Sequence, residues 1–188
     1  MRRFVPFTVG PIALLALVGG PEGSPTAAPA AEAAQCSYAD NRARGPISRT
    51  RADRALRCLI SNERETRGLG RLDTSSRLDE AAQRHTRDMH RREYFSHISP
   101  GGRDVADRVR AYTSYVDGSG DWRLGETLAA RYASTATPRR ILTTMLASTS
   151  HRRTLLTSRF RDIGVGWTLG SPSGSDRGAT VAVVVGDR

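Results

Sequence analysis

The residues able to do chemistry in this chain of 188 are few: four histidines, His85, His90, His97 and His151, and two cysteines, Cys36 and Cys58. Two neutral imidazoles with one carboxylate would suit Zn2+ and leave a position for water. Spacing alone assembles no such set, because His97 and His151 lie far apart with no short-range motif joining them. His85 and His90, five apart, do not share a helix face. His85 is therefore expected as a partly buried core histidine and His90 as a solvated one. Ser96 and Ser148 lie near histidines in sequence, but a nucleophilic serine needs an identifiable base and an orienting acid. Neither sits in a strained nucleophile turn, so no catalytic residue is assigned.

The formal charge is +10, and every positive side chain is arginine, since the sequence has no lysine. Arginine suits phosphate recognition, although GC-rich coding would give the same composition. The arginines are scattered, as in Arg91-Arg92, Arg139-Arg140 and Arg152-Arg153, without a basic block or an aromatic stacking platform. A specific nucleic-acid reader is not indicated. Attraction to an anionic cell-surface polymer or membrane surface remains physically allowed.

The N-terminus reads as an export address. Arg2 and Arg3 form a positive n-region, Ile12 to Val18 a short apolar run, and Ala31-Glu32-Ala33 a small-residue cleavage site. That run is too short to span a bilayer, so residues 1–34 are expected to be a signal peptide with a Pro/Ala-rich segment. Residues 35–188 are expected to form one domain, with no transmembrane segment in the mature chain. An oxidising destination allows Cys36 and Cys58 to pair. The alternative is a buried thiol at Cys58 and a free one at Cys36.

Positioning elements follow from periodicity. Ala52, Ala55, Leu56, Leu59 and Ile60 recur at helical spacing within residues 48–67, with Gly68 as a stop. Thr74 offers the cap of a second helix whose inward side carries Leu78, Ala81, Ala82, His85, Met89 and Arg92, ending near Glu93. Residues 99–102 make a turn, and residues 104–111 a short helix with Val105 and Val109 inward. Residues 122–128 are extended or loop-like. Pro138 opens a helix through Ile141, Leu142, Met145 and Leu146 that stops near Ser148. Residues 163–169 and 179–185 read as two strands of an antiparallel hairpin. Helices first and strands last argue for an α+β layer fold.

Three segments, in this order, resemble the bacterial CAP superfamily (cysteine-rich secretory proteins, antigen 5, pathogenesis-related 1; SCP-like extracellular proteins). They are Leu59 to Glu65 with Arg67-Gly68-Leu69; Tyr94-Phe95-Ser96-His97 with Ser99-Pro100-Gly101; and Gly125-Glu126 with His151-Arg152 and Phe160 to Gly166. The resemblance implies a three-layer α-β-α sandwich with a small antiparallel sheet between helical layers. It also implies a surface cavity lined, in fuller members, by two histidines and two glutamates.

Carried across, the first cavity histidine matches His97, the glutamate of Gly-Glu-Asn matches Glu126, and the second histidine matches His151. The second glutamate has no match, because no Asp or Glu occurs between Glu126 and His151, and Ser148 holds roughly its place. The family's helix tryptophan reads Met145, its Gly-Glu-Asn reads Gly125-Glu126-Thr127, and its Pro-Gly reads Thr149-Ser150.

The implied function is that of a secreted, non-catalytic ligand-binding or interaction domain for a lipid, glycan or peptide, free or held at the cell wall. The alternative is a metal-assisted extracellular hydrolase of peptides or cell-wall polymer. Its sole base would be Glu126, which cannot easily be both ligand and base. No cofactor is required, and Zn2+ or another divalent cation would bind at His97 and His151.

Overall fold

A computed structural model of the protein describes residues 35–44, 46–117 and 120–188. The expected export signal falls on residues 1–34 and lies outside the described residues. In chain order the elements are α1 (Pro46–Glu65), β1 (Asp73–Thr74), α2 (Ser76–Arg91), α3 (Val105–Tyr112), β2 (Arg123–Arg131), a 3-10 turn at Ala133–Thr135, α4 (Pro138–Ala147), α5 (Thr149–Leu155), β3 (Asp162–Leu169) and β4 (Ala179–Asp187).

Side chains alternate across a strand, and here alternation sorts the molecule into layers. β3 and β4 pair antiparallel with Val165 opposite Val183, and β4 pairs antiparallel with β2, placing Glu126 opposite Val184. A short parallel pairing of β1 with β3 completes the order β1-β3-β4-β2. Ile163, Val165, Trp167, Val181, Val183 and Val185 share one core with residues of α1, α4 and α5. Ala182, Val184 and Leu128 share the other with residues of α2 and α3. The result is the expected α-β-α sandwich.

On the α2 side, β3 presents Gly164 and Gly166. A Cβ at either would collide with α2 backbone, at Leu78 and Asp79 or at Ala82 and Gln83. Their bare face lets the helix lie directly on the strand. Close approach also satisfies the ladder groups that the two-residue β1 leaves open. The Val165 N–H donates to Asp79 Oδ1 at 2.8 Å, and the Trp167 N–H to Gln83 Oε1 at 3.1 Å. Asp79 and Gln83, four apart on one helix face, substitute for a missing strand.

Several boundaries differ from expectation. Ser75, not Thr74, caps α2, because Thr74 pairs with Ile163 in β1 and the Ser75 N–H still bonds Ile163 O. Arg92 leaves the inward stripe as the C-cap residue and is exposed. Residues 123–131 are an edge strand. Ser148 ends α4 and caps α5, a helix the pattern did not suggest.

Cys36 and Cys58 form a disulfide with Cα atoms 5.7 Å apart. The N-terminal segment is further held where the Arg139 N–H bonds Ala39 O at 2.9 Å, and Ala39 and Ala43 enter the first core. Closing a loop of 22 residues stabilises the fold by about 3 kcal/mol in the chain-entropy model. Cys36→Ser/Cys58→Ser should lower the urea midpoint by a corresponding amount, whereas reductant should leave the variant unaffected. An equal response of variant and parent to reductant would contradict this linkage.

Candidate functional site

Glu126 sits on β2, the outer strand of the sheet, at a position facing the α2/α3 layer. Its side chain is 3% exposed, as is that of Arg108 on α3. Arg108 Nη2 donates to Glu126 Oε1 at 2.8 Å, and His97 Nδ1 donates to Oε2 at 2.9 Å. An ionised carboxylate can only accept, so the His97 proton is on Nδ1. His85, fully buried on α2, brings Nε2 to 3.9 Å from Oε2. Both oxygens of Glu126 are therefore engaged within the protein.

Arg108 also builds the loop that carries His97. Its Nη1 donates to the carbonyl oxygens of His97 and Arg103, each at 2.8 Å, and lies 3.4 Å from Ser99 Oγ. The turn closes through the Gly102 N–H to Ser99 O at 2.8 Å, with Gly102 at φ +80°. Glycine adopts that left-handed conformation without a Cβ penalty.

His151 comes from α5, in the layer on the opposite face of the sheet. It meets His97 past the edge strand, with ring centroids 6.2 Å apart in an edge-on arrangement. The three residues carried from the resemblance, His97, Glu126 and His151, thus converge. Ser148 Oγ accepts from the His151 N–H at 3.5 Å and contacts Ser150 Oγ at 3.0 Å, so it acts as a helix cap. Ser96 Oγ accepts from the Ile98 N–H at 3.1 Å. Two departures from the family pattern touch: buried Thr127 donates to Met145 Sδ at 3.4 Å.

Sequence reasoning placed His85 in the core but did not connect it with Glu126, and it left Arg108 unremarked. The signal for Arg108 was present, since it falls beside Val109 and three residues after Val105, inside the inward stripe of a short helix. His90 is a correction: it is half-buried, with Nδ1 2.9 Å from Ser171 O.

Among the described residues no group of three or more His, Cys, Asp or Glu is arranged to hold a metal ion. Glu126 is turned to Arg108 and His97, leaving two imidazoles where catalytic zinc usually has three protein ligands.

Burial holds the His85 imidazole below the ordinary histidine range, with Arg108 adding to the effect and Glu126, Asp88 and the Ser96 carbonyl opposing it. Burial, then His97, does the same to His151. Tyr94, whose hydroxyl donates to Asp88 Oδ2 at 2.6 Å, is pushed up to about 12 by burial and then by that bond. As pH falls through about 6.5, the unfolded chain takes up these histidine protons before the folded one, so stability falls with pH there. Thermal midpoints measured from pH 7.5 to 5.5 should decline, and His85→Gln should flatten the decline; an unchanged slope would refute the assignment. Glu126→Gln leaves Arg108 buried without its counter-charge and should cost about 3–5 kcal/mol. Adding Arg108→Met should recover part of that loss in chemical denaturation, and strictly additive losses would argue against coupling.

Comparison with known proteins fits this architecture. A search of curated protein sequences returns no match. Among solved structures, an extracellular protein containing an SCP domain from Bacillus anthracis superposes with TM-score 0.61 at 23% identity, over 77% of this chain and 44% of that one. An outer surface protein from Borrelia burgdorferi gives 0.59 at 19% identity, over 71% and 90%. A cysteine-rich secretory protein from Staphylococcus aureus gives 0.50 at 15%, over 74% and 40%. The chain spans less than half the length of the Bacillus and Staphylococcus proteins, and at these identities the likeness is one of fold. The family model described as the cysteine-rich secretory protein family (CAP) matches residues 57–186, and the chain belongs to that family.

Proposed function

We propose that this protein is a secreted, non-catalytic CAP domain that binds an extracellular lipid, glycan or peptide at the surface where His97 and His151 meet beside buried Glu126. The observation carrying this reading is the double engagement of Glu126. A general base needs a free lone pair facing the reacting proton, and Glu126 is held by Arg108 and His97 at 3% exposure. Among the described residues no serine or threonine hydroxyl bonds a histidine ring nitrogen, and Ser148 and Ser96 cap local backbone. What faces solvent is the half-exposed His97 ring and the neighbouring His151, groups suited to hydrogen bonding and stacking. Export is supported by the n-region and apolar run of the sequence and by the Cys36–Cys58 bridge. Attraction to an anionic cell-surface polymer would add to retention at the wall and weaken with salt.

A second reading concerns a divalent cation. His97 is oriented by a carboxylate at Nδ1, as metal-binding histidines commonly are, so Zn2+ would meet its Nε2 together with His151. Two imidazoles would hold it weakly.

The test is turnover of fluorogenic peptides and purified cell-wall polymer, with and without Zn2+, by the parent and by His97→Ala/His151→Ala. No turnover above the variant is expected, while arrays of lipids, glycans and peptides should yield a ligand. Turnover by the parent that the variant abolishes would establish the hydrolase reading instead.

A further inference from the structure

Beside the cluster of His97, Glu126 and His151, a concavity of about 420 Å³ opens between α2 and the turn that leads into α3. That volume lies within the range of small-molecule sites. Six arginines line it, Arg84, Arg87, Arg91, Arg92, Arg103 and Arg108, with Asp88 as the one carboxylate. Its inner wall is built from buried groups, His85 and Arg108, both next to Glu126.

Three of the six guanidinium charges are matched by carboxylates: Arg84 by Glu80 at 2.7 Å, Arg92 by Asp88 at 3.7 Å, and Arg108 by Glu126 at 2.8 Å. Arg87, Arg91 and Arg103 have no carboxylate within 4.0 Å among the described residues. Three like charges converging on a concave surface repel one another and attract an anion of matching charge. Part of the wall is also organised in advance. Tyr112 takes Arg84 over its ring at 5.0 Å and Arg103 at 5.9 Å, while Arg103 Nη1 donates to the Tyr112 hydroxyl at 2.9 Å. Guanidinium groups fixed on an aromatic ring lose less freedom when they meet a ligand. Planar forks of this kind match phosphoryl oxygens in pairs, which a lysine ammonium cannot do.

We infer that the arginine-lined pocket between α2 and α3 is a binding site for a ligand carrying two or more negative charges on adjacent phosphoryl groups. The pocket shares its inner wall with the Glu126 cluster through His85 and Arg108, and its ligand is a separate one from that bound at His97 and His151. The phosphoryl groups could belong to a soluble phosphoester or to a lipid headgroup.

Inorganic pyrophosphate is the direct probe. Titrated calorimetrically into the purified protein at low ionic strength, it should bind saturably, and Arg87→Ala/Arg91→Ala should weaken it about tenfold or more. Arg87→Lys/Arg91→Lys, which keeps charge but loses the fork, should fall between. Arg152→Ala/Arg153→Ala removes the same charge from α5 and should bind as the parent does. Circular dichroism and thermal midpoints establish that each variant is folded. Equal weakening in the α5 variant would reduce the effect to net charge and overturn the site, as would no saturable binding by the parent. Sedimentation with phosphatidylcholine vesicles carrying a polyprenyl diphosphate, whose headgroup has two adjacent phosphoryl groups, separates the sources: co-sedimentation displaced by pyrophosphate assigns the site to a headgroup, and its absence assigns it to a soluble phosphoester. The variants leave His97, Glu126 and His151 intact, so failure here and failure of the ligand-binding reading at His97 and His151 are distinguishable.

Discussion

Removing an arginine and a glutamate from water costs several kcal/mol per ion, recovered only when geometry is good and the remaining donors find partners. Arg108 and Glu126 meet both conditions. Arg108 meets Glu126 with one nitrogen and three loop oxygens with another, and the second Glu126 oxygen accepts from His97. The pair thereby joins an edge strand, a short helix and the loop between α2 and α3. His97 has its position because Arg108 grips its carbonyl while Glu126 grips its ring. A hydrophobic pair of similar size could hold the helix to the sheet, but it could not orient an imidazole.

The sheet makes this meeting place available. β2 is an outer strand, so a side chain on it can be reached from the α2/α3 layer and, past the edge, from α5 in the other layer. Leu128 and Ala129 divide between the two cores while Glu126, nearer the start of the strand, is met by polar groups. Inside the sheet, by contrast, β4 is covered on both faces and carries a run of valines, as a strand buried on both sides does. Packing of α2 on Gly164 and Gly166 then fixes the depth at which His85 stands behind Glu126.

Much of this arrangement was legible because it is periodic. The helical stripes of α1 and α2, the C-terminal hairpin and the stop at Gly68 follow from spacing, and the cysteine pairing follows from compartment chemistry. Less legible were features set by contacts distant in sequence. Residues 123–131 contain Gly125 and Glu126 in a strand otherwise mixed in character, and become a strand because β4 offers an edge. β1 has two residues, too few for any period. Thr74 lost the cap to Ser75 because a strand pairing extended one residue further. The convergence of His97 with His151 required the family resemblance, since no local pattern joins them. Arg108 is the instructive omission: an arginine within an apolar stripe is either a packing fault or a buried ion pair, and Glu126 decides between them.

The arginines complete the same argument at the surface. They form no block in sequence, yet Arg84, Arg87 and Arg91 are spaced by three and four and so align along the solvent side of α2, opposite the stripe of Leu78, Ala82, His85 and Met89. Arg103 and Arg108 arrive from the facing turn and helix. A helix that buries one stripe must expose the other, and here the exposed stripe faces a second source of positive charge across a concavity. Coding bias can account for arginine in place of lysine, but it does not account for three unmatched guanidinium groups on one wall. Holding them together raises the folded state's electrostatic energy, and a bound anion would relieve it. Glu126 lies behind both sites, accepting from His97 on one side and from Arg108 on the other. One carboxylate therefore holds both the His97 ring and the arginine that forms the pocket's inner wall, and the geometry of the two places is set together.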